Sequence, residues 1–194
     1  MFRGPIVTKS FAGNYFEDFT PGRELIHATP LTVTEADIAL YRALSGSRYA
    51  LYASTPFANA AGFEGQPIDP LIVFHVVFGK TVPDISLNAV ANLGYADGKF
   101  LKPVFPADTL SATSTVIGRK ENSNGKTGVV YVRTVGRNQH GDEVLSYVRW
   151  VMVHKRDAAN PAPEAVLPDL PKAVDASELS ALADYAHFDS ALSG

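Results

Sequence analysis

The chain has 194 residues, of which 46% are apolar and 19% charged, with a formal net charge of −3. This is a globular composition, long enough for one domain with its own core, and its mild acidity gives no footprint for DNA or RNA. Cysteine is absent, which excludes disulfides, Cys-ligated zinc, iron–sulfur clusters and thiol nucleophiles. No apolar run reaches the roughly 18 residues of a membrane helix. The N-terminus lacks the apolar stretch of a signal peptide, and acidic residues appear by Glu17. A cytoplasmic protein without a membrane span is the expectation.

Residues 1–23 are rich in glycine and aromatics (Phe11, Gly13, Tyr15, Phe16, Phe19) and end at Pro21-Gly22. They read as an irregular arm whose rings pack onto the domain. Residues 24–33 are strand-like with a break at Pro30, which implies an edge strand or a terminus. Thr34 and Asp37 form a capping-box-like start of a helix. Ile38, Tyr41 and Leu44 share one face of it, and Gly46 stops it. Residues 47–68 read as loop with short helical turns. Asp69-Pro70 then opens a very apolar segment, Leu-Ile-Val-Phe-His-Val-Val-Phe-Gly. Asp is a good N-cap and Pro is tolerated at the first helical position, so this is a helix. Being apolar on all sides, it should be buried on all sides.

Strands follow Pro83: 88–95, then 109–118 with alternating Leu110, Ala112, Ser114 and Val116, then 129–135 and 144–154. Asn124-Gly125 marks a hairpin turn and 138–141 another. The last strand is apolar on both faces, with Val148, Trp150 and Met152 on one and Tyr147, Val151 and Val153 on the other. It should be central and covered twice. Residues 156–172 hold Pro161, Pro163, Pro168 and Pro171 and read as a semi-rigid extended linker. A weak helix is expected over 176–185. The expected class is α+β: one long buried helix wrapped by an antiparallel sheet, the hot-dog arrangement. Its exposed edge commonly pairs with a second copy to give a double hot dog. The domain plan is thus an arm over 1–23, a hot-dog domain over 24–155, and a linker and tail over 156–194.

Five histidines are available for chemistry. His75, on the apolar helix, is either a core histidine or a base facing a dimer cleft. His27 reads as structural or exposed, His140 and His154 as solvated, and His187 lies in the tail. No two histidines have i, i+4 spacing, so a helical His-x-x-x-His metal site is absent, and no metal is expected. No Gly-x-Ser-x-Gly elbow, Gly-x-Gly-x-x-Gly or Walker motif occurs. Of the carboxylates nearest to element ends (Asp37, Asp69, Asp84 and Asp108), Asp37 and Asp69 are most simply explained as helix-start residues. The run Arg119 to Asn122 is a solvated hairpin end. Arg48 lies among apolar and aromatic residues and has the chemistry to hold a carboxylate or phosphate, or to pair internally.

The stretch Leu44-Ser45-Gly46-Ser47-Arg48-Tyr49-Ala50-Leu51-Tyr52, followed by Phe57-Ala58 and Gly62-Phe63, resembles the hydratase motif of MaoC-like (R)-specific enoyl-CoA hydratases. So does Pro106-Ala107-Asp108-Thr109-Leu110. A closer resemblance is to the N-terminal half of the mesaconyl-CoA hydratase (β-methylmalyl-CoA dehydratase) family, over about residues 13–172. It is carried by Tyr15 to Phe19, Ser54 to Ala58, Val73 to Ser86, Lys126 to Val132 and Arg149 to Val153. That resemblance implies a double hot dog of about twice this length. The implied reaction is reversible addition of water to a branched C5 dicarboxyl-CoA thioester, with no metal or redox cofactor. A base would activate water, an acid would protonate the α-carbon, and backbone N–H groups would polarise the thioester carbonyl.

The departures matter. Ser47 stands where the family motif has its catalytic Asp, and Tyr52 where it has its His. Pro70-Leu71 replaces a His-Gly pair, and proline has no N–H. The resemblance therefore implies the half that lacks the usual acid/base pair. Three readings stay open. The first is a half working with a catalytic hot-dog partner. The second is an autonomous homodimer using Asp69 and His75. The third is a non-catalytic acyl-CoA binding module, or a hot-dog thioesterase. The pocket is expected over Ser47 to Phe57 and at the start of the apolar helix. Arg48 would meet a substrate carboxylate, Tyr52 would line the pocket, and Phe57 and Phe74 would wall the acyl group.

Overall fold

The computed structural model of the chain describes residues 12–173. The expected helix over 176–185 and His187 lie outside the described residues. Five strands form one antiparallel sheet: β1 (Glu24–Thr32), β2 (Ala89–Phe100), β3 (Thr109–Glu121), β4 (Thr127–Arg137) and β5 (Glu143–His154), in the order β1-β3-β4-β5-β2. Three helices join them: α1 (Glu35–Ser45), α2 (Thr55–Ala60) and α3 (Pro70–Ile85). The sheet wraps α3, which is the hot-dog fold of the α+β class.

Local chemistry explains most boundaries. Thr34 caps α1 in a reciprocal box with Asp37, and Gly46 ends it at φ 67°. β1 is an edge strand, and its register with β3 slips between His27 and Leu31, around Pro30. The β3–β4 hairpin turns at Asn124-Gly125, where the Asn124 side chain accepts from the N–H groups of Lys126 and Thr127.

α3 fills the concave face through Ile72, Val73, Val77, Thr81 and Ile85. Each fully buried aliphatic side chain there contributes roughly 1.5–3 kcal/mol. The core has two lobes. One joins Ile72, Val73 and Val77 to Val33, Ile38, Leu110, Leu145 and Tyr147. The other joins Ile85 to Leu25, Val116, Val130, Val132, Val151 and Val153, and is closed from the N-terminal side by Phe16 and Phe19. Both rings are fully buried. Phe16 fits because position 128 has no side chain: a Cβ on Gly128 would lie 2.2 Å from its ring.

Several expectations are corrected. α3 is apolar on all sides but not covered on all sides. Leu71, His75 and Gly79 form an exposed stripe at helical spacing, because one sheet reaches only one side of a helix. α3 also runs through Pro83 to Ile85, since a proline in the last turn breaks only one internal hydrogen bond. Leu44 is 79% exposed, so the core-facing side of α1 ends at Tyr41. β5 is an interior strand between β4 and β2 as expected, but it is not covered on both faces: the outward Trp150 and Met152 are half-buried. β2 continues past Tyr95 to Phe100 because Asp97-Gly98 forms a bulge and not a turn. Asp97 takes φ 49° there, and the Arg133 guanidinium, 2.8 Å from its carboxylate, holds its pKa below the usual value.

The segment after β5 stays on the domain. The N–H of Arg156 and the Nδ2 of Asn160 donate to the Glu17 carboxylate, and the Arg156 guanidinium pairs with Asp18. Farther on, Val166 forms an antiparallel bridge with Arg119 through two backbone bonds of 2.8 and 2.9 Å. It occupies the edge of β3 beyond the point where β1 stops pairing, at Thr115.

Gly128→Ala should cost about 2 kcal/mol in urea denaturation through overpacking against Phe16. Combined with Phe16→Leu, the loss should fall clearly short of the sum of the two single losses, which a double-mutant cycle reads directly.

Candidate functional site

Two groups of chemistry-bearing side chains flank α3. The first lies at its start. Asp69 is the N-cap, and its Oδ1 accepts the Leu71 N–H at 2.9 Å. Its Oδ2 accepts the Ser47 hydroxyl proton at 2.7 Å. The backbone carbonyl of Asp69 takes the Ile72 N–H. Pro70 contributes no N–H, so the first turn of α3 has its donors used internally. Asp69 is likewise committed to the helix cap and to Ser47. Burial, together with the nearby Asp69 carboxylate, raises the Tyr41 phenol above its usual pKa.

His75 lies one turn into α3, on the exposed stripe. Its ring meets Tyr41 and Phe74, with centroids 5.9 Å away in both cases. Asp69 and His75 are six positions apart, which turns them to different sides of the helix. They do not form a dyad within one chain. Tyr52 and Phe57 belong to a small cluster with Leu51, Ala58, Ala61 and Phe63. A crevice beside it, lined by Tyr52, Phe63, Pro70 and Val73, holds about 10 Å³ and is therefore packed shut. Arg48 is exposed on the loop after α1. Phe57 and Phe74 thus fall in different clusters, and Arg48 is on an exposed loop.

Phe74 belongs to an aromatic group between α3 and the β2 edge. Its ring stacks on Phe78 at 5.6 Å and meets Tyr95 at 5.7 Å and Tyr147 at 5.3 Å. Beneath it lies Arg149 of β5, with no exposed surface at all. Its Nη2 donates to the Thr81 hydroxyl at 2.8 Å, and its guanidinium lies 4.6 Å from the centre of the Phe78 ring. Burial works against its charge and pulls its pKa down from the usual arginine value. Burial also pushes the Tyr147 phenol up. Composition and motif reading passed over Arg149. The available signal was a lone cation inside a strand apolar on both faces.

The second group is a buried relay under the end of α3. Asp84 Oδ2 lies 2.7 Å from His27 Nδ1, and His27 Nε2 lies 2.8 Å from Ser114 Oγ. Ser114 continues to Thr134 at 2.7 Å. The order acid, imidazole, hydroxyl is that of a nucleophilic triad. Here Ser114 is 1% exposed and its hydroxyl also engages Thr134. A nucleophile has to reach a substrate, so the relay is structural: it ties α3 to β1, β3 and β4. His27, read from sequence as structural or exposed, is buried and structural. His140 and His154 are exposed. Among the described residues no three His, Asp or Glu side chains gather to hold a metal ion, and no helix is long and apolar enough to cross a membrane.

Comparison with known proteins adds independent information. A family model described as mesaconyl-CoA hydratase matches residues 7–179. A beta-methylmalyl-CoA dehydratase of Chloroflexus aurantiacus is 62% identical over 172 residues, covering 89% of this chain and 49% of that protein. A mesaconyl-CoA hydratase of Cereibacter sphaeroides is 61% identical over 171 residues, covering 88% and 50%. The chain spans about half the length of these curated relatives. A solved structure from Chloroflexus aurantiacus, described as a MaoC domain protein dehydratase, superposes with a TM-score of 0.90 at 58% identity. It covers 96% of this chain and 54% of that one. A Mycobacterium tuberculosis protein described as having a double hotdog fold superposes with a TM-score of 0.74 at 26% identity, covering 93% and 56%.

His27→Ala removes the imidazole that bonds both the Asp84 carboxylate and the buried Ser114 hydroxyl. It should cost about 3 kcal/mol of stability. His27→Gln, which keeps a donor and an acceptor, should cost less. Urea titration of both variants checks the order.

Proposed function

Because this chain belongs to the mesaconyl-CoA hydratase family, we propose that it is the acyl-pocket half of a hydro-lyase that adds water reversibly to a C5 dicarboxyl-CoA thioester. A second hot-dog half would supply the acid and base. The observation that carries this reading is the closed chemistry at the start of α3. Both Asp69 oxygens are engaged, the first-turn N–H groups are satisfied or missing, and Ser47 and Tyr52 occupy the positions of the family's acid/base pair. A hydratase needs a free base for water and free donors for the thioester oxygen. This half offers neither at the place where the family keeps them.

The surface supports a pairing partner. The α3 stripe (Leu71, His75, Gly79) and Val90, Leu93 and Tyr95 of the edge strand β2 are exposed, and the Tyr95 ring meets Phe74 and Phe78 of α3. A second hot-dog domain docking there would extend the sheet across β2 and bury the stripe. In the reaction, the partner's base would take a proton from water as the oxygen bonds to the β-carbon. Electron density would move to the thioester oxygen, and an acid would return a proton to the α-carbon. This half would shape the acyl site with Phe74 and its neighbours. No metal or redox group enters such a scheme, and CoA-thioester chemistry suits the cytoplasm.

His75 favours one alternative, the autonomous homodimer, because it stands exposed on the stripe where two copies would meet. The test is to purify the chain alone and together with a hot-dog half bearing the family Asp and His, and to follow mesaconyl-CoA by mass spectrometry. The expected result is a product one water heavier only in the mixture. Turnover by the chain alone, abolished by His75→Ala, would establish the homodimer instead.

A further inference from the structure

A buried guanidinium normally faces a carboxylate, since desolvating an unpaired charge costs several kcal/mol. Arg149 has no such partner. Among the described residues it forms no ion pair, and Thr81 accepts its one side-chain hydrogen bond. Its Nε and Nη1 are buried without a partner. The neighbouring Tyr147 hydroxyl is a third buried group without a hydrogen bond, although the Thr81 and Thr134 hydroxyls are close. Three unused polar groups therefore converge at one place, and all three can donate. The walls are Phe74, Phe78 and Tyr95. Tyr95 is the register partner of Arg149 on the β2 edge and is 46% exposed, so the group lies one strand in from the uncovered face.

We propose that Arg149, with the Tyr147 hydroxyl, is the receptor for the terminal carboxylate of the acyl group, entering past Tyr95 from the β2 side. The proposal rests on the reading of this chain as an acyl-pocket half. The guanidinium offers a carboxylate two parallel N–H donors, one from an unpartnered nitrogen (Nε or Nη1) and the second proton of Nη2, whose first goes to Thr81. The phenol can donate a third bond. An acyl chain ending in a methyl group satisfies none of them, so the site selects for a dicarboxyl acyl group and against neutral enoyl thioesters. Arg48 lacks this power because an exposed cation is screened by water and salt.

The test uses the paired assembly and two substrates: mesaconyl-CoA, and the analogue with methyl in place of the terminal carboxylate. Arg149→Met removes the charge while keeping volume, a change that leaves buried-ion sites folded or more stable. The ratio of kcat/KM between the two substrates should fall at least about 100-fold. Arg149→Lys keeps the charge without the fork and should fall in between. An unchanged ratio in both variants would overturn the proposal. So would a loss equal on both substrates together with loss of pairing, which would assign Arg149 to a carboxylate of the partner half. Unfolding of both variants would make it a structural ion and also overturn it. Should the wild-type assembly hydrate neither substrate, the hydratase reading fails by itself. Calorimetry of the chain with succinyl-CoA against butyryl-CoA then decides. A preference for succinyl-CoA that Arg149→Met removes would uphold the carboxylate site, and equal affinities would end it.

Discussion

A β-sheet can cover one side of a helix, and α3 is apolar on every side. The sheet takes Ile72, Val73, Val77, Thr81 and Ile85, and the same geometry leaves Leu71, His75 and Gly79 outside. The strand order then decides what stands beside that stripe. β2 is an edge strand with unpaired backbone groups and exposed Val90, Leu93 and Tyr95, and its Tyr95 ring meets Phe74 and Phe78, the row of α3 next to the stripe. An open sheet edge next to an open helix face is an incomplete surface in the physical sense, with both hydrogen bonds and apolar area unspent.

Where α3 is covered, polar groups fix its position. Apolar packing alone tolerates sliding, because many registers bury similar area. Hydrogen bonds to buried side chains do not. Asp84 is held by His27 from β1, and the Asp84 carbonyl accepts from Asn14 at 2.6 Å. Thr81 is met by Arg149 from β5, and Asp69 is tied to Ser47. These contacts lie at the start of the helix and along its last third. They set both its rotation and its height over the sheet. The aromatic group around Phe74 and Phe78 inherits its orientation from them.

Much of this was legible in the sequence. Thr34 with Asp37, Asp69-Pro70, Asn124-Gly125 and the alternation of β3 are local signals, and each acts within a few residues of itself. The rest depended on partners far along the chain. Leu44 continues the periodicity of α1, but periodicity says nothing of where the neighbouring surface ends. Asp97-Gly98 has turn chemistry, yet the pairing with β5 on either side holds it in the strand as a bulge. His27 reaches Asp84 and Ser114 over 57 and 87 positions, which no spacing rule connects. Arg48, Tyr52 and Phe57 lie in one stretch of sequence and were expected to share a pocket with Phe74, whereas the fold puts Tyr52 and Phe57 in one small cluster, Phe74 in another aromatic group and Arg48 on an exposed loop.

The N-terminal plug has a consequence for how the chain is made. Phe16 and Phe19 pack with Val151 and Val153, and Glu17 is tied to Arg156, 139 positions away. Synthesis runs from the N-terminus, so these rings emerge long before the strand that receives them. Until β5 has left the ribosome, the lower lobe of the core lacks one wall and two aromatic side chains remain in water. The nascent chain therefore passes through an interval in which these two rings are available to a holdase or to another nascent chain. Closure of the domain waits on its last strand, as expected for a topology dominated by distant pairings.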